Sequence, residues 1–127
     1  MKPEISENPP SLKNQRSQDF SSIYANNVAF ETSVFDLKLI FGQLDQALGI
    51  IDQHTAITIA WPVVKLGLYN LAAQIAAYEI VYGKIRLSSD VLPPAPLPPP
   101  DEHKDNPLFQ KVYDRLKELH EEFIKSA

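Results

Sequence analysis

The stretch that decides the fold is Trp61-Pro62-Val63-Val64-Lys65-Leu66-Gly67-Leu68-Tyr69-Asn70-Leu71-Ala72-Ala73-Gln74-Ile75-Ala76-Ala77-Tyr78-Glu79-Ile80-Val81-Tyr82-Gly83. It predicts one long helix. Pro62 suits the first turn, where its missing N–H has no helical partner to lose. Gly83 suits the position just past the end, where a left-handed backbone is common. Ala and Leu, both strong helix formers, dominate between them. At about 100° per residue, Val64, Leu68, Leu71, Ile75, Tyr78 and Tyr82 form one apolar stripe, expected to face a sheet. A second face carries Val63, Gly67, Asn70, Gln74, Ala77 and Val81, with Ala73 at its margin. It is small and only weakly polar. A helix apolar most of the way round asks for burial most of the way round, and one small sheet covers one side. A second copy of the chain is the simplest cover for the other. The run without a charge, Leu66–Tyr78, is 13 residues long. A bilayer core needs about 20, so a membrane span is not expected.

Upstream, Phe20–Val34 reads as a strand. Tyr24, Asn26, Val28, Phe30, Thr32 and Val34 alternate with a more polar set. Phe35–Leu44 reads as a second strand, with Phe35, Leu37, Leu39 and Phe41 on one face and Asp36, Lys38 and Ile40 on the other. A tight connection around Ser33–Asp36 makes the pair an antiparallel hairpin. Gly42 inside the second strand marks a bulge or a close backbone approach. Asp45–His54 reads as a loop and Thr55–Trp61 as a third, β-branched strand. Lys84–Ser88 alternates again, as a short edge strand would. The expected class is α+β: a three-stranded, at most four-stranded, antiparallel meander, then the long helix packed on the sheet.

Downstream, Leu92–Pro100 holds six prolines in nine residues. Such a segment forms an extended polyproline rod, read here as a spacer that holds the last segment away or routes it across the surface. Its Pro-x-x-Pro pattern also fits aromatic-grooved modules, but stiffness alone accounts for the composition. Asn106 is a good N-cap and Pro107 a good first helical residue. Phe109, Val112, Leu116, Leu119 and Phe123 then recur at helical spacing, opposite a charged face with pairs at Lys117–Glu121 and Glu121–Lys125. The chain thus divides into an irregular arm at 1–19, a β-β-β-α core at 20–89, a proline-rich linker at 90–105 and an amphipathic helix at 106–127.

The 127 residues carry a net charge of −4 without a basic cluster, which argues against binding nucleic acid through phosphate neutralisation. There is no cysteine, so disulfides, thiol catalysis and cysteine-ligated metals are excluded. The N-terminus lacks the pattern of a secretory signal, and a cytoplasmic location is expected.

From Tyr24 onward the sequence resembles a family of small bacterial and archaeal proteins known as domain of unknown function 3467. The matching pieces are Tyr24-Ala25-Asn26-Asn27-Val28, Asp36-Leu37-Lys38-Leu39-Ile40-Phe41-Gly42-Gln43, and Tyr78-Glu79 with Gly83 beyond them, covering about residues 23–86. The family's usual Ser-Pro helix start is Trp61-Pro62 here. The rod and the last helix lie outside the resemblance, which implies no activity.

Chemistry-bearing candidates are few. Asn26 is a possible ligand contact through its amide, though Asn is common at strand ends. Asp36 is the second such residue; with Lys38 it presents a carboxylate and an amine on one strand face, an arrangement that serves either proton transfer or a solvated ion pair with Glu31. His54 is alone in the core region. His120-Glu121-Glu122 lacks the second histidine of a zinc-protease motif. His103 with Glu102 and Asp105 is at best a weak, adventitious metal site. No nucleophile elbow or phosphate loop occurs, and no cofactor, metal or catalytic residue is assigned.

The reading is therefore a non-catalytic interaction or assembly domain acting as a homodimer. Its interface is assigned to Val63, Gly67, Asn70, Gln74 and Ala77 and to the stripe Phe109, Val112, Leu116, Leu119 and Phe123. The last helix packs in place, exchanges between subunits or recruits a second protein. The alternative is a small-molecule binder or enzyme with a site near the first hairpin, using Tyr24, Asn26, Asp36, Lys38 or His54.

Overall fold

A computed structural model describes residues 11–127. The irregular arm read at 1–19 is therefore described from residue 11, and Pro3, Pro9 and Pro10 lie outside the described residues. The chain divides into two compact units at Lys65–Leu66.

The first unit is a meander of β1 (Asn27–Thr32), β2 (Asp36–Asp45) and β3 (Ile50–Ala60), antiparallel and in the order β1-β2-β3. The turn between β1 and β2 is tied by one side chain. Ser33 Oγ accepts from the N–H groups of Phe35 and Asp36, each at 3.1 Å, and donates to Asp36 Oδ1 at 2.9 Å. Trp61 Nε1–H donates to the Ser33 carbonyl at 3.0 Å and fastens the same turn. Between β2 and β3, Asp45 Oδ1 accepts from Ala47 N–H and Leu48 N–H, and the Gly49 N–H returns to the Asp45 carbonyl.

Two strand boundaries differ from the sequence expectation. The first strand starts at Asn27, not Phe20, because a side chain takes over the ladder there. Asn26 Oδ1 accepts the Leu44 N–H at 2.7 Å, and the Tyr24 carbonyl bonds to His54 Nε2 at 3.1 Å in place of a strand partner. The third strand starts at Ile50, not Thr55, so the expected loop Asp45–His54 shrinks to a tight turn. Its cause is the irregularity at Phe41/Gly42. Phe41 pairs with Thr55 and Gly42 with Gln53, so His54 is an extra, unpaired residue on β3. A bulge reverses the inward–outward alternation beyond it, and the polar run Asp52-Gln53-His54 then belongs to a strand.

Lys84–Ser88 forms no strand. The N–H of Ile85 is taken by the Glu79 carboxylate at 2.8 Å in place of a strand partner. The helix α1 runs Trp61–Tyr82. Gly83 follows it with φ of 98°, and its N–H bonds to the Glu79 carbonyl at 3.0 Å. After a single 3-10 turn at Ser89–Val91 and the proline rod comes α2, Pro107–Ser126. Asn106 Oδ1 caps α2 by accepting from the Leu108 N–H at 3.0 Å. The architecture is α+β: three antiparallel strands, a long helix and a C-terminal helix.

Candidate interaction surfaces

The register places Val28, Phe30 and Thr32 of β1, Leu37, Leu39 and Phe41 of β2, and Thr55, Ile57 and Ile59 of β3 on one face. No charged residue lies among them. Of these only Leu37 is buried, at 8% exposure, and it is the only buried large hydrophobic residue among those described. Phe30 is 61% exposed. The opposite face carries Ala29, Glu31, Lys38, Ile40 and Thr58. There Glu31 sits opposite Lys38, with an Oε2–Nζ separation of 3.7 Å and both side chains largely in water. An ion pair so exposed contributes on the order of 0.5 kcal/mol.

No residue of α1 is buried, and Leu68, Leu71, Ile75, Tyr78 and Tyr82 are all exposed. Val63, Asn70, Gln74 and Ala77 of the second face are exposed and Gly67 is half-buried. A Cβ built on Gly67 would meet nothing within 4 Å. A helix-interior glycine costs roughly 0.8–1 kcal/mol relative to alanine, and no neighbour among the described residues requires one there.

In the second unit the rod does not act as a spacer. The Asp101–Asp105 turn reverses the chain, with the His103 N–H bonded to the Pro100 carbonyl at 2.8 Å. The rod then runs antiparallel along α2. His120 Nε2 meets the Pro93 carbonyl at 2.9 Å near one end, and Leu97–Pro100 flank Phe109, Val112, Tyr113 and Leu116 across a shallow cleft of about 430 Å³ at the other. Pro93–Pro100 spans about 22 Å as polyproline, enough to run the length of Phe109–His120, about 17 Å as helix. His103 stacks on Phe109, with ring centroids 4.5 Å apart and planes at 8°. Tyr113 and His120 are half-buried, while Phe109, Val112, Leu116, Leu119 and Phe123 stay exposed. The ion pair formed along α2 is Arg115–Glu118 at 2.9 Å, rather than Lys117–Glu121 or Glu121–Lys125.

The polar candidates of the first hairpin are spent on local geometry. Asn26 extends the ladder to Leu44, Asp36 closes the β1–β2 turn, and Lys38 pairs with Glu31. His54 is held between Thr55 Oγ1 at 2.8 Å and the Tyr24 carbonyl. Beside Asn26 an open, polar depression is lined by Gln43, Asp45, Gln46 and Asp52. No group of three or more histidine and carboxylate side chains comes together among the described residues. Asn26→Ala is expected to lower stability by about 1–2 kcal/mol, because the Leu44 N–H loses its partner. A urea midpoint unchanged within error would show that water replaces the amide at no cost.

No helix among the described residues is long and apolar enough to cross a membrane. Compared with protein-family models, with curated proteins and with solved structures, the chain matches none. The surfaces that stand out are apolar: the sheet face, the length of α1, and the stripe beside the rod on α2. The rod–helix pairing is the feature that sequence reasoning missed. Proline content gives the rod, but nothing in it indicates which surface the rod lies on.

Proposed function

We propose that this chain is a small non-catalytic assembly domain that acts as a homodimer, with the C-terminal rod–helix hairpin available to a second protein. One observation carries the reading. Among the described residues a single large hydrophobic side chain, Leu37, is buried, while an uncharged sheet face and a 22-residue apolar helix stand exposed. Monomers rarely expose contiguous apolar patches of more than a few hundred Å², and larger ones mark interfaces. A self-complementary contact between two copies is the commonest solution.

The small face of α1 fits such a contact. Gly67, Asn70, Gln74 and Ala77, with Val63, allow two helices to approach closely about a two-fold axis. The stripe Phe109, Val112, Leu116, Leu119 and Phe123 offers a second protein the spaced apolar anchors by which amphipathic helices dock in grooves. A net charge of −4 and the absence of cysteine suit a reducing, cytoplasmic setting without nucleic acid as partner. The resemblance at Tyr24–Val28 and Asp36–Gln43 belongs to the same proposal and adds no activity to it. Light scattering after size exclusion tests the reading. The full chain has a mass of 14.3 kDa and is expected to elute at twice that value at low micromolar concentration. A monodisperse monomer at high micromolar concentration would overturn it.

A further inference from the structure

The small face of α1 occupies one side of that helix in the homodimer and leaves open what covers its apolar stripe. Resting on that reading, we infer that α1 of each copy lays its stripe across the apolar sheet face of the other, so that the two chains exchange helices.

An α+β domain is stable when each apolar layer is covered by a second layer. The sheet supplies one uncovered face, centred on Phe30, Leu39 and Ile57, without a charge on it. The stripe of α1 supplies the other: its members Val64, Leu68, Leu71, Ile75, Tyr78 and Tyr82 carry no charge, with Glu79 at its margin, and Leu68, Leu71, Ile75 and Tyr78 are exposed. β3 ends at Ala60 and α1 begins at Trp61, with no residue between them. A helix that docks on the sheet preceding it commonly uses about 2–6 connecting residues to reverse direction. A second copy needs no such loop.

If each contact covers on the order of 500 Å² of helix and as much of sheet, two reciprocal contacts bury about 2,000 Å², the lower end of obligate interfaces. The rod–helix hairpin is a poorer occupant. Its stripe is bordered by Lys111, Arg115 and Glu122, and the rod already flanks Phe109, Val112 and Leu116.

The chain contains no cysteine, so introduced thiols report contacts without background. Chains carrying Thr55→Cys or Thr32→Cys on the sheet face are mixed in denaturant with chains carrying Leu68→Cys, Leu71→Cys or Ile75→Cys, then refolded and oxidised. Every disulfide in such a mixture joins two separate chains. Sheet-to-helix disulfides are expected to exceed sheet-to-sheet and helix-to-helix ones several-fold, in particles of dimer mass. Dimers whose disulfides are helix-to-helix only, or that form none, would overturn the exchange and leave the homodimer standing. A monomer mass for the unsubstituted chain would remove both.

Discussion

A chain carrying Leu71→Glu and Ile75→Glu is expected to run as a monomer where the unaltered chain is a dimer. Both residues lie in the middle of the α1 stripe and are exposed in a single copy, at 65% and 49%. In one isolated chain the substitutions are therefore mild: each exchanges an exposed apolar group for a charge, and Glu is a good helix former. Across a dimer contact they bury two carboxylates per helix without partners. Leaving a buried charge uncompensated costs about 3–5 kcal/mol. Discounted for relaxation and water entry, a total near 5 kcal/mol weakens association by roughly 10³- to 10⁴-fold. A nanomolar dimer would become micromolar, and a micromolar one would be lost. The control places the same charges at Tyr69→Glu and Ala76→Glu, about 120–140° round the helix from the stripe. It is expected to keep the dimer mass. If the stripe variant also remains a dimer, the contact lies elsewhere, and Gln74 and Ala77 on the small face are the next positions to charge.

Local chemistry was legible in the sequence wherever one or two residues decide a boundary. Pro62 and Gly83 bracket α1, and Asn106-Pro107 opens α2, because caps act within a turn and need no tertiary partner. Gly42 marked the irregularity between β2 and β3 for a different reason: the backbone of Asp52 and Gln53 comes too close there for a side chain. What escaped were features set at a distance. The period-two pattern of β3 breaks at His54, since an extra residue there reverses which side chains share a face, so Ile50 and Ile51 could not be joined by alternation to Ile57 and Ile59. The start of β1 depended on Asn26 reaching Leu44, 18 positions away. The rod's course depended on the turn at Asp101–Asp105 and on His120 meeting Pro93, neither of which proline content encodes. Of the interaction surfaces, the α1 and α2 stripes were visible as helical periodicity. What lies against each stripe was not, because alternation and periodicity identify a face without saying what covers it.

Gly42→Val should cost about 2–4 kcal/mol, the second large effect, and it tests whether the bulge is a fixed part of the sheet. A Cβ at position 42 would lie 3.0 Å from the Asp52 carbonyl oxygen, 3.1 Å from the Ile51 Cγ2 and 3.2 Å from the Gln53 Cα. Two of those three neighbours are backbone, so relief requires β2 and β3 to separate. Separation there breaks the pairing of Gly42 with Gln53 and displaces His54, whose imidazole ties the sheet to the Tyr24 carbonyl. For a chain of this length about 1 kcal/mol moves the melting temperature by roughly 4 °C, so a fall near 10 °C is expected. Both chains must be melted at one concentration, because a dimer's stability depends on it. The imidazole resonances of His54 should shift as well, whereas a distant destabilising change would leave them in place below the transition. A loss under 1 kcal/mol with His54 unmoved would mean that the strands accommodate a side chain at position 42, and that the glycine is not what places His54 outside the ladder.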